Sequence, residues 1–391
     1  MIFRAKGIPL NISTFIVGKI TRNALVTGEN TVFITGTGQT APAGRFAAVL
    51  SCASHVEALH PEQPAIVNIP SLDHLQEGDI VTVAADGIIR TVYRANSFYN
   101  TILATERCNS NCLMCSQPPK DKNDIPYLFQ LYSRVIPLIP KDCPELTISG
   151  GEPTLMGELF FQLLEQLATE LPATEIHILT NGRSFAWEHM AARLAEVNNP
   201  RIMLGIPLYA DYSHVHDYIV QAKDAFNQTI LGLHNLARHN LRIEIRIVLY
   251  LQSIPRLTRL ANYIFKNLPF AEHVTFMGLE YTGYTPYNIE KLWIDPYDYA
   301  QELEDSVEFL AGQGMHVSIY NSQLCIIPEN LWKYARKSIS DWKNDYLPAC
   351  QSCSHLDQCG GLFTWNLKKY SSHIAPIPSH ENNNEAILNF N

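Results

Sequence analysis

The 391-residue sequence predicts an α/β protein: a partial, TIM-like (β/α)6 barrel, with a small β-rich domain before it and a cysteine-rich extension after it. Three observations predict this. From about residue 99, apolar runs of strand length alternate with segments of helical period. Before residue 95 the apolar runs are short and are broken by Gly, Asn and Asp. Seven of the nine cysteines fall in two clusters, one just after the first barrel strand and one near the end.

Residues 1–95 read as the β-rich domain, a small barrel or sandwich. Its clearest part is 79–93, where two alternating runs flank Asp86-Gly87, a turn pair suited to a two-residue hairpin. Gly36-Thr37-Gly38 is too short for a phosphate loop and reads as a turn. Such a domain either packs or holds a partner peptide by strand addition at a sheet edge.

Residues 96–310 carry the barrel. Strands are expected at 100–104, 146–149, 176–180, 202–208, 243–250 and 273–277. Helices are expected at 159–171, 187–197, 228–238 and 256–268. Asp295-Pro296 opens one more helix, with Asp as cap and Pro in the first turn. In parallel barrels the chemistry sits at the C-terminal ends of the strands.

The first strand leads into Cys108-Asn109-Ser110-Asn111-Cys112-Leu113-Met114-Cys115. Three thiolates on one loop can hold three irons of a four-iron cubane and leave one iron open. Zinc, the competing metal, favours closed sets of four ligands. The second strand leads into Gly150-Gly151-Glu152-Pro153-Thr154, where the glycines let backbone approach a ligand and Glu152 offers a carboxylate to a cation. The third strand ends in Thr180-Asn181-Gly182 and the sixth in Gly278-Leu279-Glu280.

This set resembles the signature of the radical S-adenosylmethionine (radical SAM) enzymes. The resemblance implies that Cys108, Cys112 and Cys115 hold a 4Fe-4S cluster whose open iron chelates S-adenosylmethionine. It implies that Met114 packs near adenine and that Gly150, Gly151, Glu152 and Pro153 meet the cofactor's ammonium. Thr180, Asn181, Gly278 and Glu280 would complete the cofactor site. Many relatives place Ser on strand four and Arg in the following segment, both on the methionyl carboxylate. Here Pro207 and Val220 stand in those places. Arg246 on strand five is the substitute candidate; the alternative is an arginine facing an outer helix. His214 and His216 read as capping or packing residues.

Cys325, Cys350, Cys353 and Cys359 form a closed set that suits structural zinc or an iron–sulfur cluster. The C-x2-C-x5-C part, followed by Gly360-Gly361, resembles the twitch or shortened SPASM extension, here over 311–370. That resemblance implies a second, auxiliary 4Fe-4S cluster. Residues 371–391, polar with prolines and including His380-Glu381-Asn382, read as a flexible tail. Cys52 and Cys143 read as small packed side chains.

Over residues 70–366 the chain is most similar to the His-Xaa-Ser system radical SAM maturases (HxsC). That resemblance implies modification of a peptide or small protein with His-Xaa-Ser repeats. It also implies a paired radical SAM maturase of the B type and an electron donor of the flavodoxin or ferredoxin class. Alternatives are a radical SAM enzyme of small molecules and a non-catalytic iron–sulfur scaffold. The net charge of −9 argues against a nucleic-acid partner. No apolar run has membrane length and no leader-like segment opens the chain, so a cytoplasmic protein without a membrane partner is expected.

Overall fold

The computed structural model describes residues 4–36, 44–57, 59–337 and 344–379. The chain divides into two units. The first comprises Met1–Cys108, Lys120–Leu179 and Arg193–Met203; the second comprises Asn109–Pro119, Thr180–Ala192 and Leu204–Asn391.

The first unit opens with eight short strands: β1 (Arg4–Lys6), β2 (Ile8–Leu10), β3 (Ile16–Thr21), β4 (Gly28–Ile34), β5 (Phe46–Leu50), β6 (Ala65–Val67), β7 (Ile80–Val83) and β8 (Ile88–Tyr93). They form one mixed sheet in the order β1-β8-β7-β3-β4-β5-β6-β2. The ends of that order, β1 and β2, are consecutive pieces of one segment joined at Gly7. One segment thus supplies both edges, and the sheet closes as a small barrel around Ile20, Val32, Leu50, Ile66, Val81 and Ile89. The hairpin β7–β8 is present, but its turn is longer than two residues. Ala84 N–H donates to Ile88 O at 2.9 Å, and Gly87 N–H to Ala84 O at 3.0 Å. Gly87, at φ +80°, comes last in this turn and takes the left-handed position of a bulged hairpin. Thr37 and Gly38, read as part of a turn, lie outside the described residues.

The alternating region follows as β9 (Asn100–Leu103), α1 (Ile125–Val135), β10 (Glu145–Ser149), α2 (Glu158–Glu170), β11 (Glu175–Leu179), α3 (Glu188–Glu196) and β12 (Ile202–Pro207). It continues with α4 (Ser213–Val220), α5 (Ala225–Arg238), β13 (Arg242–Leu249), α6 (Leu257–Asn267), β14 (His273–Gly278), α7 (Ile289–Leu292), α8 (Ala300–Gly312) and β15 (His316–Tyr320). The sheet order is β15-β14-β13-β12-β11-β10-β9, each strand beside its predecessor, and the β9–β10, β10–β11, β13–β14 and β14–β15 pairs run parallel. All six expected strands are present, each within one residue of its expected bounds. The sheet has seven strands, not six: β15 falls where the extension was expected to have begun. Val317 and Ile319 give β15 the alternation that buries it beside β14.

Helix α6 shows how these elements pack. It buries Leu257, Leu260, Ala261 and Ile264, one stripe of a 3.6-residue period. Each such side chain contributes about 1.5–3 kcal/mol when fully buried. On β13 the alternate residues Ile243, Ile245, Ile247 and Leu249 are buried, leaving Arg246 on the other row. Asp295 Oδ1 accepts from Tyr297 N–H at 3.0 Å, the expected cap, and opens a 3-10 turn that runs into α8. The C-terminal extension adds one antiparallel pair, β16 (Asn344–Asp345) with β17 (Leu362–Phe363). Residues 380–391 of the expected tail lie outside the described residues.

Candidate active site

In the first unit, the chain leaving β10 is laid along the chain that leads to Cys108. Gly151 N–H donates to Thr105 O and Glu152 N–H to Arg107 O, both at 2.8 Å. The contact is backbone on backbone: a Cβ on Gly151 would stand 2.0 Å from Arg107 O and 3.1 Å from Cys108 N. The space that the missing side chain of Gly151 leaves is filled by the segment that leads to Cys108. Asp124 holds that segment from the other side, accepting from Thr105 Oγ1 at 2.6 Å and Glu106 N–H at 2.7 Å. Glu152 is 0% exposed. Its Oε1 accepts from Thr154 N–H at 3.1 Å and Thr154 Oγ1 at 2.7 Å, capping the turn that Pro153 opens.

In the second unit, the loop from Asn109 to Pro119 is held at Asn109, Ser110, Asn111, Leu113 and Cys115. Asn111 N–H donates to Val220 O and Leu113 N–H to Ile219 O, both at 2.9 Å. Asn288 Nδ2 donates to Leu113 O at 2.9 Å, and Tyr284 N–H to Cys115 O at 2.9 Å. Arg183 bonds Asn109 O, donates to Ser110 Oγ at 2.9 Å, and is itself held by Gln228 Oε1 at 2.8 Å. Asn181 Nδ2 donates to Asn109 Oδ1 at 2.6 Å. Thr180 Oγ1 accepts from Gly182 N–H at 3.1 Å and shapes the turn that aims Asn181 and Arg183. Arg183 and Asn288 were not legible in the sequence. The only signal for Arg183 is its place directly after Thr180-Asn181-Gly182.

Met114 is buried in an apolar cluster with Leu113, Tyr209, Ile219, Val220 and Tyr250. Burial pushes the Tyr209 phenol well above its usual range, and the nearby Cys112, Tyr250 and Cys115 add to the rise. Burial likewise raises the Cys115 thiol, which donates to Gln117 O at 3.0 Å. His216 is 2% exposed, and its Nδ1 accepts from Tyr209 N–H at 3.3 Å. Its pKa is lowered to about 4, chiefly by burial, so it is neutral at pH 7. His214 is exposed.

Arg246 stands 3.6 Å from the Glu244 carboxylate and donates to Met277 Sδ at 3.2 Å. It thus has an acidic partner within the protein. Gly278 packs on Asn321, whose O would lie 2.3 Å from an added Cβ. Glu280 is half-buried between two residues clamped by Asn366, which donates to Leu279 O at 3.1 Å and accepts from Tyr281 N–H at 3.0 Å.

Also in the second unit, Cys325, Cys350, Cys353 and Cys359 line one pocket with Leu324, Tyr346 and Leu356. Burial raises the Cys325 thiol, and the nearby Cys359 and Cys350 add to the rise. Cys353 N–H donates to Cys350 O at 3.0 Å, and Tyr346 Oη to Cys359 O at 2.8 Å. Among the described residues, no cysteine is in a disulfide, and no three His, Cys, Asp or Glu stand close enough to hold one metal ion. The thiol donors of both sets fit iron–sulfur ligation. Cys143 is buried as expected, whereas Cys52 is exposed.

Residues 102–263 match the Radical SAM superfamily, so the chain carries a radical SAM domain, a class that uses a 4Fe-4S cluster and S-adenosylmethionine. Among solved structures, Streptococcus suis SuiB bound to S-adenosylmethionine matches at TM-score 0.52 and 16% identity, over 72% of this chain and 76% of that one. SuiB bound to precursor peptide SuiA matches at TM-score 0.46 and 18% identity, over 57% of this chain and 48% of that one. The protein anSMEcpe with bound AdoMet matches at TM-score 0.44 and 20% identity, over 56% and 61%. The chain thus spans about half the length of the SuiB chain in its peptide complex. At these identities the likeness is one of fold. No curated protein matches the chain. Among the described residues, no helix is long and apolar enough to cross a membrane.

Proposed function

We propose that this protein is a radical SAM maturase that modifies a ribosomally made peptide with His-Xaa-Ser repeats, alongside a paired maturase of the B type. The observation that carries the reading is the superfamily match over 102–263 together with a three-cysteine loop directly after β9. On this reading Cys108, Cys112 and Cys115 hold the 4Fe-4S cluster. When bound, the cluster and S-adenosylmethionine supply a 5′-deoxyadenosyl radical that takes a hydrogen atom from the peptide. Arg183, Asn181 and Asn288 fix the loop, and the apolar packing of Leu113, Met114 and Tyr209 keeps water from its inner side. By the radical SAM resemblance, Gly278 and Glu280 border the cofactor, and the Gly150-Gly151-Glu152-Pro153 turn braces the segment that leads to Cys108. Cys325, Cys350, Cys353 and Cys359 hold an auxiliary 4Fe-4S cluster; their common apolar pocket supports this. A flavodoxin- or ferredoxin-class protein supplies electrons. SuiB, which shares the fold, binds S-adenosylmethionine.

The test is anaerobic. The chain is reconstituted with iron and sulfide, then given dithionite and S-adenosylmethionine. About eight irons per chain and release of 5′-deoxyadenosine are expected. Replacing Cys108, Cys112 and Cys115 together by Ala should abolish cleavage; 5′-deoxyadenosine from that variant would sink the proposal. A second reading, a non-catalytic iron–sulfur scaffold, is favoured by one observation: Arg246, the stand-in for the missing carboxylate contact, is already paired with Glu244. Iron without cleavage, even with repeat peptide and B-type maturase present, would select it.

A further inference from the structure

Ala375-Pro376-Ile377-Pro378 lies in the stretch whose composition predicts a flexible tail. Up to Ser379 that stretch is held in place. Ser371 is buried, and the His373 ring stacks on Tyr297 with 3.9 Å between centroids and 10° between planes. At the far end, Ile377 O accepts from Ser354 N–H and Ser354 Oγ, each at 3.0 Å, and Pro378 O accepts from the same hydroxyl at 3.1 Å. Between these anchors, Ile374, Ala375 and Ile377 line the pocket of the four late cysteines. Ile377 N–H donates to Cys353 Sγ at 3.4 Å. Ala375 lines that pocket beside Cys325.

The run is built for this. Proline has no N–H, so between residues 375 and 378 only Ala375 and Ile377 can donate. Each precedes a proline, which holds it in an extended conformation. Residues two apart in an extended chain face the same way. The sequence therefore presents two N–H groups on one side of a stiff strand, and that of Ile377 meets sulfur.

We propose that Ile377 is an N–H donor to a sulfur of the second cysteine site and raises the reduction potential of the iron–sulfur cluster held there. The inference rests on the iron–sulfur reading of that site. A reduced cluster carries one more negative charge than the oxidised one. Donors aimed at its thiolates stabilise the reduced form more, and hydrogen bonds to sulfur are a known lever on cluster potential.

The test uses the full chain with Cys108, Cys112 and Cys115 replaced by Ala, so that only the second site loads. Iron and sulfide are counted after anaerobic reconstitution. A dithionite titration followed by electron paramagnetic resonance then gives the one-electron midpoint. Ile377→Pro removes the N–H and keeps an apolar side chain. Iron should stay the same, and the reduction equilibrium should shift against the reduced form by about tenfold, roughly 59 mV for one electron. Ser354→Ala frees the anchor without removing a donor, and a smaller shift of the same sign is expected. If Ile377→Pro fails to load, Ser354→Ala decides in its place. Variants that load iron and titrate at the parent's midpoint overturn the proposal. A parent that takes up zinc, or no cluster, overturns the iron–sulfur reading instead, and the proposal falls with it.

Discussion

Gly151→Ala is the sharpest test of how the first cysteine is positioned. The added Cβ would stand 2.0 Å from Arg107 O and 2.5 Å from Arg107 C. Both atoms are backbone, so no side chain can swing away. Restoring ordinary contact at 3.4 Å requires a movement of about 1.4 Å. That movement breaks or strains two backbone hydrogen bonds of 2.8 Å, Gly151 to Thr105 and Glu152 to Arg107. Each is worth about 0.5–1.5 kcal/mol, and forcing the extra methyl into packed backbone costs about 1–3 kcal/mol more. A total near 4 kcal/mol is expected, which lowers the melting temperature of the cluster-free chain by roughly 5 °C. The segment displaced is the one that carries Cys108, and a misplacement of about 1 Å costs on the order of a hundredfold in rate. The assays are thermal unfolding, iron retained after reconstitution, and release of 5′-deoxyadenosine. Gly312→Ala is the control, since a Cβ there meets nothing within 4 Å. A Gly151→Ala chain that melts with the control and cleaves at the parent rate would refute the reasoning.

Arg183→Gln loses the bonds to Asn109 and Ser110; a net loss of about 1.5 kcal/mol, roughly tenfold, should appear in the rate at which a chelator strips the first cluster. Arg183→Lys should fall between, because an ammonium cannot reproduce the fork. His216, depressed to about 4 in the folded state, takes a proton more readily unfolded. Its contribution is therefore complete above about pH 6.5 and is lost between about 6.5 and 4, at up to about 1.4 kcal/mol per pH unit. Urea unfolding of the cluster-free chain at pH 7 and pH 5 should show this loss, and His216→Gln should flatten it. Val220→Arg, which restores the residue type of many relatives, should destabilise by several kcal/mol because position 220 is 4% exposed. A variant as stable as the parent, with tighter cofactor binding, would contradict that.

The barrel strands were legible because each pairs an alternating pattern with β-branched residues, as in Ile243, Ile245 and Ile247. Helix α1 was not expected, although Leu128, Leu131, Tyr132 and Val135 mark its buried stripe. Its Asp124 carboxylate, which would signal a cap, is committed to Thr105 and Glu106. Strand β15 is five residues long and follows a helix in a region already assigned to the extension. The cysteines were legible from spacing alone. Arg183 was not, since one arginine in a turn has no pattern and its partners lie 73 and 74 residues away. The Ala375–Pro378 run was misread for a related reason. Composition treats prolines as breakers, whereas here Pro378 follows the residue whose amide meets a sulfur from elsewhere in the chain.

Strand four and its following segment depart most from the radical SAM pattern, and the packing gives a reason. Ile219 and Val220 accept hydrogen bonds from Leu113 and Asn111 through their carbonyls, while their side chains join the cluster around Leu113 and Met114. The end of α4 thus serves as a strand-like partner for the cysteine loop and as part of its apolar floor. A charged side chain at 220 would have to leave that floor or be buried in it. At the strand end, Tyr209 is pinned by His216 through its N–H and by Tyr250 through its carbonyl, the latter at 2.9 Å. Asp211, just beyond, takes up Arg256 in a two-point ion pair. The polar groups nearest this strand end are therefore spent on fixing the loop's support. An enzyme built this way gains rigidity under its cysteines. On the enzyme reading proposed above, the contact to the methionyl carboxylate would come from another strand, and Arg246, on the row of β13 opposite Ile245 and Ile247, is the residue whose substitution most directly separates that reading from the scaffold reading.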